Sequence, residues 1–411
     1  MSEKHDVHVI DACVKRLGVD RTLELIRGIG PQVVLSLSSV ISLEEDISFF
    51  RQLKKMLPCK LIVSGDIYYF EGKSLMEKYP VIDAVLLDYN SSRTLDYIEG
   101  DFGNVKDMIY RDSRNGIVVS EMSAERTYRF PVPRYDLFPM GLYSFPFARY
   151  APFASVSTNI GCPFACEYCS LSKVHFRERD IKNVLEELDY LKSKGYKELF
   201  VRDSTFSVNK SRTKELLREM VRAEYGFVWS CDTRIDCVDE ELLGLMKQAG
   251  CHTIMFGVES GSDKILKERR KNINKEDIRK VFDWCGKLKI QTMAHFILGF
   301  PEDTEKTIKE TIRFARELKC DFVSFNTFVP RLGTAIRGEL NETRVTEMDS
   351  SKSEVSCCAV PLDRLLKLKR EGILCFYFRP LHILKIMRGI KTVLQLKMVV
   401  KNALALLIRS K

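Results

Sequence analysis

The sequence predicts an α/β protein: a six-stranded parallel barrel, preceded by a small parallel-sheet domain and followed by a helical segment. Three observations support this prediction. Short apolar runs alternate with helical segments along most of the chain. The alternation occurs in two series, which are separated by a stretch rich in Pro, Tyr and Phe. In the second series, a glycine follows three of the predicted helices, as is common where helices end: Gly195, Gly226 and Gly250.

Composition excludes several classes of protein. The 411 residues are 45% hydrophobic and 29% charged, values typical of globular chains. A balance of 65 Lys and Arg against 56 Asp and Glu gives a net charge of +9, which is no argument for nucleic acid as a partner. The 13 cysteines are not expected to form a disulfide framework, because disulfide-rich proteins are usually small and secreted. The sequence begins without the pattern of a signal peptide and has no apolar run of about 18 residues. We therefore expect a cytoplasmic protein.

Residues 1–125 are predicted to form the small domain. Its strands are expected at residues 7–11, 33–38, 60–64, 84–88 and 108–111 with 117–120, and its helices at residues 21–27, 43–56, 73–78 and 93–99. Parallel sheets of this kind bind ligands beyond the carboxyl ends of their strands. Gly65, in Ser64-Gly65-Asp66, lies at such an end and would allow close approach of a ligand to the backbone. An ordinary turn is the alternative.

Residues 126–150 are predicted to be an ordered linker, and residues 151–335 the barrel. Six strands are expected at residues 154–158, 198–202, 227–231, 253–258, 292–298 and 322–325. Five helices are expected between them, at residues 181–194, 214–223, 240–249, 275–288 and 305–318.

Residues 336–411 are predicted to form a loop over the barrel mouth, from about residue 335 to 360, and then a helical region. Residues 384–407 are apolar with interleaved Lys and Arg. Two interpretations stay open: amphipathic helices that pack on the protein, or weak contact with a membrane surface.

The first barrel strand leads into a loop with three cysteines, Cys162, Cys166 and Cys169, in a C-x3-C-x2-C pattern. This spacing is typical of a loop that binds a 4Fe–4S cluster. A fourth cysteine is missing nearby, so one iron would be open to a substrate or cosubstrate, whereas fully ligated clusters carry electrons. The alternatives are three buried cysteines or a zinc site with a distant fourth ligand.

Polar residues follow the other predicted barrel strands. Parallel barrels place their active sites at the carboxyl ends of their strands, so we expect these residues to meet at the rim that holds the cysteine loop. A turn or helix cap would explain any one of them alone. They are Asp203, Ser204, Arg234, Glu259, Ser260 and Glu302.

These motifs resemble the radical S-adenosylmethionine (SAM) superfamily, and in particular its subgroup with an N-terminal cobalamin-binding domain. The resemblance implies a partial (β/α)6, TIM-like barrel after a Rossmann-like (flavodoxin-like) domain. It also rests on Pro133-Arg-Tyr-Asp-Leu-Phe138 and Phe376-Tyr-Phe-Arg-Pro380. It implies that Cys162, Cys166 and Cys169 bind the cluster, and that reductive cleavage of SAM releases a 5′-deoxyadenosyl radical. A reductant protein of the flavodoxin or ferredoxin type would be a partner.

The resemblance also implies contacts to SAM. Tyr168 is the aromatic residue of the cysteine motif, and Asp203 with Ser204 would contact the methionine amino group. Glu259 and Ser260 match the ribose-contacting strand end. Gly299 and Glu302, in Ile297-Leu-Gly299-Phe-Pro-Glu302, match the strand beside the adenine. Arg234 is a candidate partner of the methionine carboxylate. No general acid or base is assigned.

The N-terminal half departs from the subgroup. The strand-and-helix unit that usually precedes the segment matching residues 7–11 is absent from the sequence. The usual Gly-Gly-x-His is Ser64-Gly65-Asp66-Ile67, and the usual acidic motif is Asp88-Tyr-Asn-Ser91. Cobalamin is therefore treated as a possible cofactor that the sequence leaves open.

Three hypotheses follow. The first is C-methylation with cobalamin, after hydrogen abstraction from an unactivated carbon. The second is a cobalamin-independent cyclisation, rearrangement or oxidation, as in tetrapyrrole ring formation. The third is a non-catalytic iron–sulfur partner protein, which the polar rim argues against, because a scaffold needs no cosubstrate pocket. The substrate stays open among small molecules, lipids, tetrapyrroles and peptides.

Overall fold

A computed structural model describes residues 4–91, 93–339, 355–390, 396–397 and 399–400. The chain divides into two compact units, Met1–Leu142 and Tyr143–Lys411. The predicted division into four segments, with boundaries at residues 125, 150 and 335, stays a prediction. Most of the predicted loop over the barrel mouth, residues 340–354, lies outside the described residues, as does most of the predicted helical region after residue 390.

The first unit is built on a sheet of five strands. The first three strands are parallel and the last two are antiparallel, in the order β1-β2-β3-β4-β5. The strands are β1 Val33–Leu37, β2 Lys60–Ser64, β3 Ala84–Leu86, β4 Met108–Arg111 and β5 Ile117–Val119, followed by a short β6 Thr127–Tyr128. The helices are α1 Val19–Ile29, α2 Leu43–Met56, α3 Asp66–Lys78 and α4 Thr94–Glu99. Ile62, Leu86, Tyr97 and Met108 belong to its buried core.

The strand predicted at residues 7–11 is wrong. This segment has no strand structure, and β1 is the outer strand of the sheet. An apolar run becomes a strand only when a neighbouring strand pairs with its backbone. In the described part of the chain no strand pairs with this run, and a turn follows it directly: the Asp11 carboxylate accepts the backbone N–H of Val14 at 2.9 Å and the Asp11 carbonyl accepts that of Lys15 at 3.2 Å.

The second unit is built on six parallel strands, in the order β14-β13-β12-β11-β10-β7. They are β7 Phe153–Val156, β10 Glu198–Val201, β11 Val228–Thr233, β12 Cys251–Glu259, β13 Gln291–Leu298 and β14 Phe322–Thr327; a short antiparallel pair, β8 Asn159–Ile160 and β9 Arg177–Arg179, follows β7. The helices are α5 Ile181–Ser193, α6 Lys210–Arg222, α7 Glu240–Gln248, α8 Asp263–Glu268, α9 Lys275–Lys287, α10 Glu305–Glu317, α11 Ala335–Glu339, α12 Leu362–Tyr377 and α13 Pro380–Gly389. Since β7 and β14 are the two outer strands, the predicted partial barrel is confirmed, and it is open.

Five helices of this unit begin at a side chain that accepts a backbone N–H three residues further on. Such caps satisfy a donor that the first helical turn leaves free, and they fix where each helix starts after its strand. The capping residues are Asp180, Asn209, Asp239, Asn274 and Thr304. Among the described residues, no helix combines the length and apolar character needed to span a bilayer.

Candidate active site

The cysteine loop begins directly after β8 and is held by Gly161. This glycine has a φ of +73°, and a Cβ atom there would lie 2.6 Å from the carbonyl oxygens of both Val174 and His175. Only glycine fits this conformation and this close approach of the returning chain. Within the loop, the backbone N–H of Cys169 donates to the carbonyl of Cys166 at 3.1 Å. The fold therefore closes the segment with the three cysteines into a compact loop.

The thiols of this loop lie close to one another. Burial raises the pKa of the Cys169 thiol, and the neighbouring Cys162 and Cys166 add to the rise. Among the described residues, no three His, Cys, Asp or Glu side chains converge on the position of a single metal ion. Three cysteine sulfurs on one loop are the donor set of a 4Fe–4S cluster, in which each thiolate binds a different iron.

Asp203 anchors the start of the loop. Its carboxylate follows β10 and accepts the backbone N–H groups of Thr158 and Asn159, at 2.7 and 3.1 Å, as well as the Thr158 hydroxyl. Burial raises the pKa of Asp203 to about 6, although these hydrogen bonds oppose the rise. Ser204 is half-buried beside it. The structure thus brings Asp203 to the cysteine loop, with both of its oxygens bonded to the protein.

Arg234, at the end of β11, contacts the loop directly. Its Nη1 donates to the Sγ atom of Cys166 at 3.1 Å, and its guanidinium carbon lies 4.0 Å from the centre of the Phe164 ring. Asp236 accepts two further hydrogen bonds from it, at 2.8 and 2.9 Å. The charge of Arg234 is therefore fixed beside one of the three cysteine sulfurs.

Glu259, the last residue of β12, is paired with a lysine that sequence reasoning missed. Lys271 donates from Nζ to Oε1 of Glu259 at 2.9 Å, and both residues are buried. Glu259 has a φ of +68°, a strained conformation for this residue type that the surrounding structure must hold. The neighbouring Ser260 is buried, and its hydroxyl accepts the Ser262 backbone N–H at 3.1 Å. A basic run at residues 269–271 was the only sequence signal for Lys271.

A second missed group joins the cysteine loop to the end of β13. Arg269 donates to both carboxylate oxygens of Glu302, and at 3.1 Å to Glu167, which lies between Cys166 and Tyr168. Arg270 adds a contact to Glu167 at 2.9 Å. The predicted residue Glu302 is thus connected to the cysteine loop through Arg269.

Tyr168 and Gly299 lie in the same region. Tyr168 packs edge-on against Phe300, with ring centres 5.4 Å apart, in an apolar cluster that includes Phe328. Burial raises the Tyr168 pKa well above its usual value. The backbone N–H of Gly299 donates to Asp303 at 2.9 Å. Asp203 and Arg234 therefore contact the cysteine loop directly and Glu302 contacts it through Arg269, while Ser260 and Gly299 bond to residues that follow their own strands.

The family model of the radical SAM superfamily matches residues 156–315. These residues form a radical SAM domain. The match includes the cysteine loop and all the predicted rim residues, and it confirms the predicted superfamily and enzyme class. The cofactors that such a domain implies are a 4Fe–4S cluster and SAM, as predicted.

Two curated relatives illustrate the range of activities named among similar proteins. The uncharacterized methyltransferase PH0819 of Pyrococcus horikoshii is 27% identical over 406 residues, which cover 93% of this chain and 86% of the relative. The anaerobic magnesium-protoporphyrin IX monomethyl ester cyclase of Rubrivivax gelatinosus is 24% identical, over 79% of this chain and 61% of the relative.

Two solved structures share the fold. The radical SAM methyltransferase TsrM from Kitasatospora setae, with cobalamin and a 4Fe–4S cluster bound, has a TM-score of 0.65 and 18% identity, over 79% of this chain and 67% of that chain. The cobalamin-dependent radical enzyme OxsB, with aqua-cobalamin and SAM bound, has a TM-score of 0.72 and 15% identity, over 98% and 66%.

The inner face of the radical SAM domain carries several polar side chains. Along β13 and β14 every second residue is buried, and the residues between them, which include His295 and Asn326, stay partly exposed. Strand register places Asp232 beside Met255, and His295 between Gly257 and Ser324. The register therefore gives this face both polar side chains, among them Asp232 and His295, and apolar ones, among them Met255 and Met293.

Burial shifts the pKa values of two ionisable groups on this face. Burial raises the pKa of Asp232 to about 6, and Arg202 partly opposes the rise. Burial lowers the pKa of His295, which favours its neutral form. The Ser230 hydroxyl is fully buried and has no hydrogen-bond partner in the described part of the chain. Sequence reasoning assigned no role to Asp232 or Ser230, because strand residues show their facing only once the register is known.

One end of the inner face is closed by aromatic rings. Phe145 stacks on Phe200 with centres 4.4 Å apart, and Phe147 meets Phe322 edge-on at 5.3 Å. Phe200 is on β10 and Phe322 begins β14, at the end of the sheet away from the cysteine loop. These ring contacts fill that end of the inner face with apolar side chains.

Proposed function

We propose that this chain is a radical SAM enzyme that abstracts hydrogen from an unactivated carbon and, in the main hypothesis, methylates that carbon with cobalamin. The observation that carries the proposal is the three-cysteine loop at the carboxyl ends of the barrel strands, in contact with Arg234 and anchored by Asp203. When bound, the cluster and SAM supply a 5′-deoxyadenosyl radical, and cobalamin supplies a methyl group.

The cluster would be held by Cys162, Cys166 and Cys169. SAM would lie among the remaining rim residues, namely Tyr168, Asp203, Ser204, Arg234, Glu259, Ser260, Gly299 and Glu302. One buried atom supports a ligand there: Oδ1 of Asn159 has no hydrogen-bond partner among the described residues, while its Nδ2 donates to the Thr205 carbonyl. A buried acceptor of this kind suits the ammonium group of SAM.

The protein's own residues would position and shelter the reaction. Asp203 fixes the backbone of Thr158 and Asn159, and Arg269 connects Glu167 to Glu302, so the loop has little freedom to move. The apolar cluster around Phe300 and Phe328 would exclude water beside Tyr168. We place the substrate carbon on the inner face, where Asp232 and His295 would contact polar groups of the substrate.

Cobalamin would be bound by the first unit. Three large apolar side chains at the carboxyl edge of its sheet, Leu37, Ile41 and Tyr89, are more than half exposed and would suit a flat macrocycle. Gly65 would not contribute, because the space of its missing side chain is filled by the Ser38 carbonyl oxygen, 1.8 Å from the position of a Cβ atom. TsrM and OxsB, which share the fold, are described with cobalamin bound.

A cobalamin-independent cyclisation is the second candidate, because one relative is a magnesium-protoporphyrin cyclase. Both candidates need an electron donor and a substrate. We propose a flavodoxin or ferredoxin as the donor, and the substrate stays open among small molecules, lipids, tetrapyrroles and peptides.

The proposal predicts SAM cleavage without any substrate. The full chain, reconstituted anaerobically with iron and sulfide, is expected to form 5′-deoxyadenosine and methionine from SAM and dithionite, as measured by chromatography. A protein that binds a full cluster and forms no 5′-deoxyadenosine would contradict the enzyme assignment.

A cobalamin-binding experiment separates the two candidate reactions. The protein is incubated with hydroxocobalamin and then desalted. Cobalamin absorbance that elutes with the protein supports methylation, and its absence supports the cobalamin-independent reaction.

We also propose contact between the C-terminal region and an anionic membrane surface in the cytoplasm. From residue 372 to 411 the sequence contains eight Lys and Arg and no Asp or Glu. On α13, Ile383, Leu384 and Met387 share one helical face and are 40 to 63% exposed. An exposed apolar face within a basic segment is the pattern of a helix that lies on anionic lipid, where each basic residue adds about 1 kcal/mol.

Vesicle flotation tests this contact. The protein is expected to float with phosphatidylcholine vesicles that contain phosphatidylglycerol, and to stay at the bottom with phosphatidylcholine alone or at high salt. Met387→Glu should weaken flotation, whereas Leu142→Glu, at another exposed apolar residue, should not. Equal flotation with both lipids, or a dimer in solution that Met387→Glu dissociates, would contradict the proposal.

A further inference from the structure

The guanidinium of Arg234 already uses most of its hydrogen-bond donors within the protein. It is 5% exposed, and its side chain makes four hydrogen bonds. Both oxygens of Asp236 accept from it, and the Lys271 carbonyl accepts from Nη2 at 2.8 Å. Since a guanidinium has five N–H groups, one is left for SAM. Arg234 is therefore poorly suited to be the main partner of the methionine carboxylate.

The remaining hydrogen bond of Arg234 goes to Cys166, one of the proposed cluster ligands. Nη1 of Arg234 lies 3.1 Å from Sγ of Cys166, and Cys166 is itself buried. Phe164, on the same loop, lies under the guanidinium and restricts it further. Because water has little access to this contact, the positive charge acts on the sulfur with little screening.

We propose that Arg234 raises the reduction potential of the cluster through its N–H bond to Cys166. The inference rests on the proposed cluster ligands. The electron added on reduction is shared with the sulfur ligands, so a cation and a hydrogen-bond donor at one sulfur stabilise the reduced cluster more than the oxidised one. Hydrogen bonds to sulfur, net charge and exposure are the known protein controls of such potentials. Arg234 would thus ease reduction by the electron donor.

A redox titration of the reconstituted full chain tests this role. The reduced cluster is measured by electron paramagnetic resonance at set potentials, without SAM, cobalamin or substrate. In Arg234→Met the ratio of reduced to oxidised cluster at a fixed potential is expected to fall at least tenfold, which is 59 mV for a one-electron couple. Arg234→Lys, which keeps the charge and loses the planar fork, should give a smaller shift in the same direction.

Arg279 provides a matched control. It also lies over a phenylalanine, Phe314, and pairs with a carboxylate, Glu317 at 3.2 Å, but it lies on α9 and is half exposed. Arg279→Met is expected to leave the potential unchanged. An unchanged potential in Arg234→Met and Arg234→Lys would overturn the inference.

Three further outcomes are decisive. If both Arg234 variants keep wild-type circular dichroism and take up no iron, Arg234 has a structural role only, and the inference is wrong. If the wild-type chain itself takes up no cluster, the proposed function fails and the inference fails with it. A wild-type chain that cleaves SAM, beside variants of unchanged potential, would contradict the inference alone.

Discussion

Replacing Cys166 by alanine is expected to abolish both cluster binding and 5′-deoxyadenosine formation. Cys166 is the most buried of the three loop cysteines, and its sulfur accepts the Arg234 hydrogen bond. Loss of an outer-shell partner typically costs 10–100-fold in metal affinity, so loss of a ligand should cost at least about 100-fold. Iron and sulfide content, together with anaerobic SAM cleavage, measure the effect.

Cys375→Ala is the matched control for this variant. Cys375 is exposed on α12, outside the cysteine loop, and its replacement should leave iron content and SAM cleavage at wild-type levels. A Cys166→Ala protein that still binds a full cluster and forms 5′-deoxyadenosine would contradict the ligand assignment.

Lys271→Met is expected to lower the free energy of unfolding by about 3–5 kcal/mol. The variant removes the partner of Glu259 and leaves a buried carboxylate without its cation. Glu259 is also a predicted SAM contact, so we expect the variant to lower SAM cleavage as well. Denaturant unfolding of the protein without cofactors measures the stability change directly.

Two further variants serve as a control and as a test of the buried charge. Lys264→Met breaks a surface pair with Glu268, at 3.8 Å, and should change stability by only about 0–1 kcal/mol. The double variant Lys271→Met with Glu259→Gln should regain most of the lost stability, because the unpaired charge is gone. If Lys271→Met costs no more than Lys264→Met, the buried pair does not have the stabilising role that we assign to it.

Most of the fold could be predicted because its signals are local. The barrel helices begin at polar caps such as Asp239 and Thr304, and apolar runs separated by helices predict parallel strands. The strand predicted at residues 7–11 was wrong because a strand needs a neighbouring strand to pair with, and no local sequence pattern specifies that partner. The antiparallel pairing of β4 and β5 also became visible only in the structure.

By itself the sequence determined the cysteine loop and the edge of the sheet at which it lies. Both follow from spacing along the chain: the three cysteines lie within eight residues, and the carboxyl ends of parallel strands share one edge. The tertiary structure decided which side chains hold that loop. Arg234 and Cys166 are 68 residues apart, Arg269 and Glu167 are 102 apart, and Asp203 and Thr158 are 45 apart. Hydrogen bonds and buried charges act over a few ångströms in space, and only the folded chain brings such distant residues within that range.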